Sequence, residues 1–138
     1  MAVHGGLLKL STAGNGEIAD ITAGVQAVVT QSGVETGVAV AFAPGATVAI
    51  TTIEFEPGAV HDLRVLLDRL IPPAGDYRHN ELNHDTNAHA HLRAALVGPS
   101  ESVPVVGGRL TLGTWQQIVL IDFDDSPRER QITVQVLS

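Results

Sequence analysis

The sequence predicts an α+β fold: one domain of antiparallel or mixed β-sheets packed as a sandwich, with about three helices on one side. Three observations lead there. Apolar β-rich runs recur between turn signals, stripes of helical period interrupt them, and the last forty or so residues read as strands alone. At 138 residues the chain has the length of one ordinary domain. Hydrophobic residues make up 44% but aromatics only 4%, so the core must be built from Val, Leu, Ile and Ala.

Gly6 to Ser11 alternates weakly and runs into "TAGNG", a turn, after which Glu17 to Ala19 reads as a short second strand. Asp20 has the chemistry of an N-cap. Behind it Ile21, Val25, Val28 and Val29 mark one face of a helix that Ser32 and Gly33 end. Two apolar runs follow, Gly37 to Ala43 and Thr47 to Phe55, parted by Pro44 and Gly45. Nearly every residue in them is apolar, so both strands are expected to be covered on both faces, by core on one and by a helix or subunit on the other. Pro57 then opens a second helix whose stripe is Val60, Leu63, Leu67, Leu70 and Ile71, and "PP" stops it. Ala74 to Asn87 reads as a long polar, irregular connection, the kind that carries function. Asp85 or Asn87 caps a third short helix through Leu96. The remainder supplies three or four strands, with "GG" and "DDSPR" as turns and period-two alternation in "QITVQV".

The formal net charge is −7 and no basic run interrupts it, which argues against nucleic acid as a partner. No apolar stretch approaches the roughly 20 residues of a membrane helix, and "MAVHGGLLKLST" does not read as a signal peptide. The absence of cysteine removes disulfides, thiolate ligands and a cysteine nucleophile. A cytoplasmic protein without a membrane partner is expected.

The chemistry-bearing stretch is "NHDTNAHAHL". His79, His84, His89 and His91 are four of the six histidines in the chain and fall close together. Without thiolates, a metal here, Mg or Zn, would need imidazole and carboxylate ligands. On a helix His89 and His91 diverge by about 200° and cannot grip one ion together. His91 with His79, brought across from the loop, is the expected pair, with Asp85 as a carboxylate. The competing reading is a solvated loop whose histidines and asparagines bond backbone at a helix start. A Ser100, His91, Asp85 triad lacks the strained elbow around its serine and is set aside.

Taken together, "YRHN", "HDTNAHAHL", "LVGPSESVPV", "GRLTLGTWQQIVLIDFD" and "PRERQITVQV" resemble the YjbQ-like family, also called secondary thiamine-phosphate synthases, from about Phe42 onward. The resemblance implies an α+β fold assembled as a homotrimer, with a polar pocket between subunits. It also implies a transferase that joins hydroxymethylpyrimidine diphosphate to thiazole phosphate. The family's motifs land on Tyr77 and His79, Asp85 and Asn87, His91, Ser100, and the run Gly113, Thr114, Trp115 and Gln116; Glu54 matches a glutamate after a family strand. One departure stands out: relatives carry a histidine where this chain has Gly45 in "PGATVAI".

Two functions follow. In the first, a phosphate-substrate transferase uses His79, His84 and His91 to hold a divalent ion, and Asp85 and Glu54 join His79 and His91 in catalysis. Arg93, Arg109, Arg128 and Arg130 are the arginines available to collect phosphate charge, unless each is simply paired with an acid. In the second, a trimer that has lost the family histidine binds a small anion or metal. Trp115 is either a stacking platform or a packing anchor, the latter favoured.

Overall fold

The computed structural model describes residues 1–138. It contains strands β1 (Val3–Thr12), β2 (Glu17–Asp20), β3 (Thr36–Phe42), β4 (Val48–Glu54), β5 (Ser100–Val106), β6 (Arg109–Leu110), β7 (Gln116–Asp122) and β8 (Arg128–Leu137). The helices are α1 (Thr22–Ser32), α2 (Pro57–Leu70), α3 (Arg78–Asn83) and α4 (Ala88–Val97).

Two wholly antiparallel sheets form the sandwich, one ordered β1-β8-β3-β5-β6 and the other β2-β7-β4. Between them Ala39, Ala41, Val105, Ile132, Val134 and Val136 meet Val48, Ile50, Ile118 and Leu120. Helix α1 inserts Val25, Val28 and Val29 into this core. It lies so close to β1 that a Cβ on Gly6 would stand 2.5 Å from Val28 Cγ2. A second core forms on the far face of the smaller sheet, where Ala49, Val119, Ile121 and Phe123 pack on Leu67 of α2 and on Ala90 and Ala94 of α4. The smaller sheet is therefore covered on both sides, and the unbroken apolar run "IVLI", Ile118 to Ile121, records that burial.

Four expectations need correction. There are four helices: α3 occupies much of the stretch read as irregular, because a single helical turn and a half has no apolar stripe to betray it. The helices do not share one side: α1 packs into the core between the sheets and α2 and α4 against the far face of the smaller sheet, while the chain crosses from the sheet of β3 to that of β4 at Pro44 and Gly45. In β3 only one face is buried; Thr36, Val38 and Phe42 point outward from the larger sheet, with no helix over them. The α2 stripe is buried fully only at Leu67, and Leu70 at its end is exposed.

The caps otherwise follow the local chemistry. Asp20 Oδ1 accepts from Thr22 N at 2.9 Å, one residue outside the assigned cap, and Gly33 ends α1 with φ +70°. Gly107 and Gly108, at φ +60° and +73°, form the two-residue β5–β6 hairpin loop.

Candidate functional site

The two imidazoles singled out by the sequence converge. His79 on α3 and His91 on α4 place their ring centroids 4.7 Å apart at an interplanar angle of 59°. Each ring is held from behind. His91 Nδ1 lies 3.0 Å from the carbonyl oxygen of Ala46, on the crossover between the sheets. A carbonyl only accepts, so Nδ1 carries the proton and Nε2 presents a lone pair. His79 Nδ1 is 3.2 Å from Asn80 Oδ1, an atom that also accepts from Ala88 N at 3.0 Å. The backbone donor fixes which end of the amide is oxygen, so His79 likewise keeps its proton on Nδ1. Both rings therefore offer Nε2 as a base or ligand, with the opposite nitrogen anchored as it is in metal-binding histidines.

Helix geometry separates the other histidines as expected. On α4, His89 is 7% exposed and turned inward, its Nδ1 buried without a hydrogen-bond partner, while His91 faces the crossover. Burial lowers the pKa of His89 below the ordinary imidazole value, and the nearby Arg93 charge lowers it further. His84 does not join the pair: it caps α3 in the left-handed conformation at φ +51° and is exposed.

No third His, Asp or Glu of the same chain completes a metal-binding group. Asp85, expected as the carboxylate, is exposed and accepts from Thr86 N at 2.7 Å instead. Asn87 takes the cap position of α4. Beside His91 a depression of 280 Å³ is lined by Gly45, Ala46, Val48, Ala94, Ala95 and Pro99. Ser100 opens β5 next to this rim.

The remaining site candidates lie elsewhere. Glu54 pairs with Gln116 across the β4–β7 ladder, and Gln116 Nε2 donates to Thr52 Oγ1 at 3.1 Å. Gln116 and Arg109 border a groove of 360 Å³ along α1. Trp115 is 73% exposed, so it is no core anchor in the single chain.

Arg128 and Arg130 correct the expectation of phosphate-gripping arginines. Arg130 Nε and Nη2 fork onto Asp122 Oδ2 and Oδ1 at 2.7 and 2.8 Å, and Nη2 also donates to Thr47 Oγ1 at 2.8 Å. Arg128 Nε meets Asp124 Oδ2 at 2.8 Å. Thr12 adds its hydroxyl to Asp122, so the network joins the two sheets at one end. Burial pushes both carboxyls up, but hydrogen bonds from the arginines and backbone N–H groups outweigh it and hold both below the usual range. Arg93 is likewise engaged, with Ile71 O and Asp68.

Arg130 Nη1 has a different environment. A Cβ on Gly45 would sit 3.0 Å from it and 2.9 Å from Val48 Cγ1, and Gly45 holds φ +146°. The backbone passes this guanidinium at a distance only glycine allows.

Sequence reasoning missed Asn80 and the Ala46 carbonyl, the two groups that orient the imidazoles. Asn80 had a signal in "HNELN", an amide beside a histidine; the carbonyl had none.

This pairing of an α3 and an α4 histidine beneath a sheet-to-sheet crossover sits in a fold that comparison with known proteins assigns. The model of UPF0047 protein YjbQ-like matches residues 7–138. The chain belongs to the YjbQ-like, or UPF0047, family. It is 40% identical over 130 residues to a UPF0047 protein of Archaeoglobus fulgidus, covering 94% of this chain and 98% of that one. It is 39% identical to a UPF0047 protein of Methanothermobacter thermautotrophicus, covering 99% and 93%. Among solved structures, a YbjQ-like protein of unknown function from Sulfolobus solfataricus superimposes with a TM-score of 0.94 at 36% identity, over 99% of this chain and 98% of that one. This YjbQ-like chain thus shares its whole fold with relatives whose names state no reaction.

Proposed function

We propose that this YjbQ-like protein acts on a small phosphorylated substrate in a pocket between the subunits of a homotrimer, as a transferase of the thiamine-phosphate synthase type. The observation that carries the reading is the pair of Nε2 lone pairs, aimed by Ala46 O and Asn80 Oδ1 from rings 4.7 Å apart. One chain supplies two imidazoles and no third ligand, so a divalent ion would be held by His79 and His91 together with groups from a second subunit or the substrate. Such an ion would draw off the charge of a departing pyrophosphate. The chain's own contribution is two positioned bases, and Arg109 is the candidate arginine left free of an internal carboxylate.

The outer face of the larger sheet supports self-association. Val38 and Phe42 are 39% and 42% exposed there, next to Pro104, Thr133 and Leu137 in the ladder, with no charged side chain among them. Trp115, exposed in the single chain, fits an interface as well.

The test is to incubate purified protein with hydroxymethylpyrimidine diphosphate, thiazole phosphate and magnesium. Thiamine phosphate should form, and His91→Ala should abolish it. No product above the protein-free background, where a family relative turns over, removes the transferase reading.

A second reading rests on Gly45. The histidine that the resemblance implies at this position cannot be placed here without displacing Arg130 or Val48 and straining the backbone, and in this reading the protein binds a small anion or metal without turnover. That reading predicts metal in chelator-free wild type and none in His91→Ala by elemental analysis; a metal-free wild type that takes up no added ion sinks its metal form.

A further inference from the structure

A second cleft lies across α4 from the histidine pair. It holds 310 Å³, and an adjoining recess of 210 Å³ shares Asn15, Gly16, Asp68, Arg93 and Phe123 with it. Neither has a residue in common with the depression beside His91. Helical geometry explains the separation, because His89 and Arg93 occupy one face of α4 and His91 and Ala95 another.

The groups around this cleft are held in place before any ligand arrives. Arg93, with its side chain 8% exposed, has Nε and Nη2 fastened to Ile71 O at 3.1 and 2.7 Å and Nη2 to Asp68 Oδ1 at 2.9 Å. Nη1 is its one nitrogen without a partner. Asp125 receives the Thr86 hydroxyl on Oδ2, which leaves Oδ1 open. His89, itself buried, lines the same cavity; its ring bonds the Thr86 backbone, and Nδ1 is left buried without a partner. Phe123 forms an apolar floor.

Charge decides what fits. Taken together, the cleft and the recess set Arg93 and Arg64 against Asp68 and Asp125 and carry no net charge, while the cleft alone holds one more carboxylate than guanidinium. A free anion meets two carboxylates in a chain whose net charge is −7. A metal ion meets two guanidinium groups and finds no cluster of three ligands. An apolar molecule finds little besides Phe123 in the main cleft. A molecule with both signs at short separation satisfies the unused donor edge and the unused acceptor together.

We infer that this cleft binds a small zwitterion, an α-amino acid, with its carboxylate on the Arg93 edge and its ammonium group on Asp125. The site is independent of the histidine pair, and binding should survive His91→Ala.

The full-length ¹⁵N-labelled protein tests this by titration with the protein amino acids one at a time, and with acetate, methylammonium and inorganic phosphate. At least one amino acid should move the amide resonances of Asn15, Thr86, Arg93 and Asp125 saturably. Acetate and methylammonium, each carrying half the recognition, should bind at least about tenfold more weakly. Asp125→Asn should weaken the same amino acid about tenfold while leaving the rest of the spectrum in place. The inference is overturned by phosphate binding as tightly as any amino acid, by shifts confined to His79 and His91, or by no saturable shift up to about 10 mM of every amino acid.

Discussion

Replacing Arg130 with methionine isolates the strongest internal interaction of the fold. The substitution keeps the stem that lies between the sheets and deletes three hydrogen bonds, two to Asp122 and one to Thr47. Asp122 is 0% exposed, so its charge cannot be transferred to water without opening the sandwich. Breaking a buried pair by removing one partner costs roughly 3–5 kcal/mol. Here each carboxylate oxygen retains one donor, Thr12 on Oδ2 and Asp124 N on Oδ1, which places the loss near the lower end, about 3 kcal/mol near pH 7. For a chain of this size that lowers Tm by roughly 10 °C.

The pH dependence carries the electrostatic claim. In the wild type the Asp122 pKa is depressed, so its stabilisation is fully present above the unfolded carboxylate value, about 3.9, and is lost as pH falls through the lower folded value. In Arg130→Met, burial without the arginine raises that pKa, and protonation then relieves an unpaired charge. The stability gap between the two proteins should accordingly narrow as pH falls from about 7 to about 3. Urea denaturation at a series of pH values measures it, with Asp122→Asn and the double variant closing a cycle in which the double loses less than the sum. A gap under about 1 kcal/mol near pH 7, or one that does not change with pH, would refute the reasoning.

Three further outcomes are expected. Gly45→Ala should cost about 1–3 kcal/mol in thermal or chemical denaturation, since φ +146° and two Cβ contacts at 2.9 and 3.0 Å oppose it; a neutral result would mean that the crossover relaxes freely. Val38→Glu, on the uncovered sheet face, should fold normally but reduce the mass measured by light scattering from trimer to monomer, whereas a monomeric wild type would remove the trimer altogether. Asn80→Ala should free the His79 ring and leave Ala88 N without its acceptor; the loss should be about 1 kcal/mol of stability, together with weaker metal uptake if His79 is a ligand.

Much of the site was legible because α4 imposes its period on whatever residues it carries. Once a helix was placed after Asn87, His89 and His91 had to part, and the structure buries one while turning the other to the Ala46 carbonyl on the crossover. The partnership of His79 with His91 was legible only as a bet, since α3 had no apolar stripe to reveal it. The pairing of Arg130 with an acid was legible as an alternative; which acid, and how deeply buried, was not. Its place in β8, on the face of Ile132, Val134 and Val136, follows from the alternation, but only the stacking of the two sheets brings Asp122 to meet it.

Local rules, then, were enough for what depends on neighbours along the chain: the α+β class, the two-residue glycine hairpin, the stop of α1 at Gly33, the divergence of His89 from His91. Each follows from steric limits or helical period acting over a few residues. What joins distant segments belonged to the tertiary structure: the assignment of β3 and β4 to different sheets, an arginine committed to a buried aspartate instead of a substrate, and an imidazole pair aimed by a carbonyl 45 residues away. Those contacts arise from how sheets register and stack, and no window of sequence contains both partners.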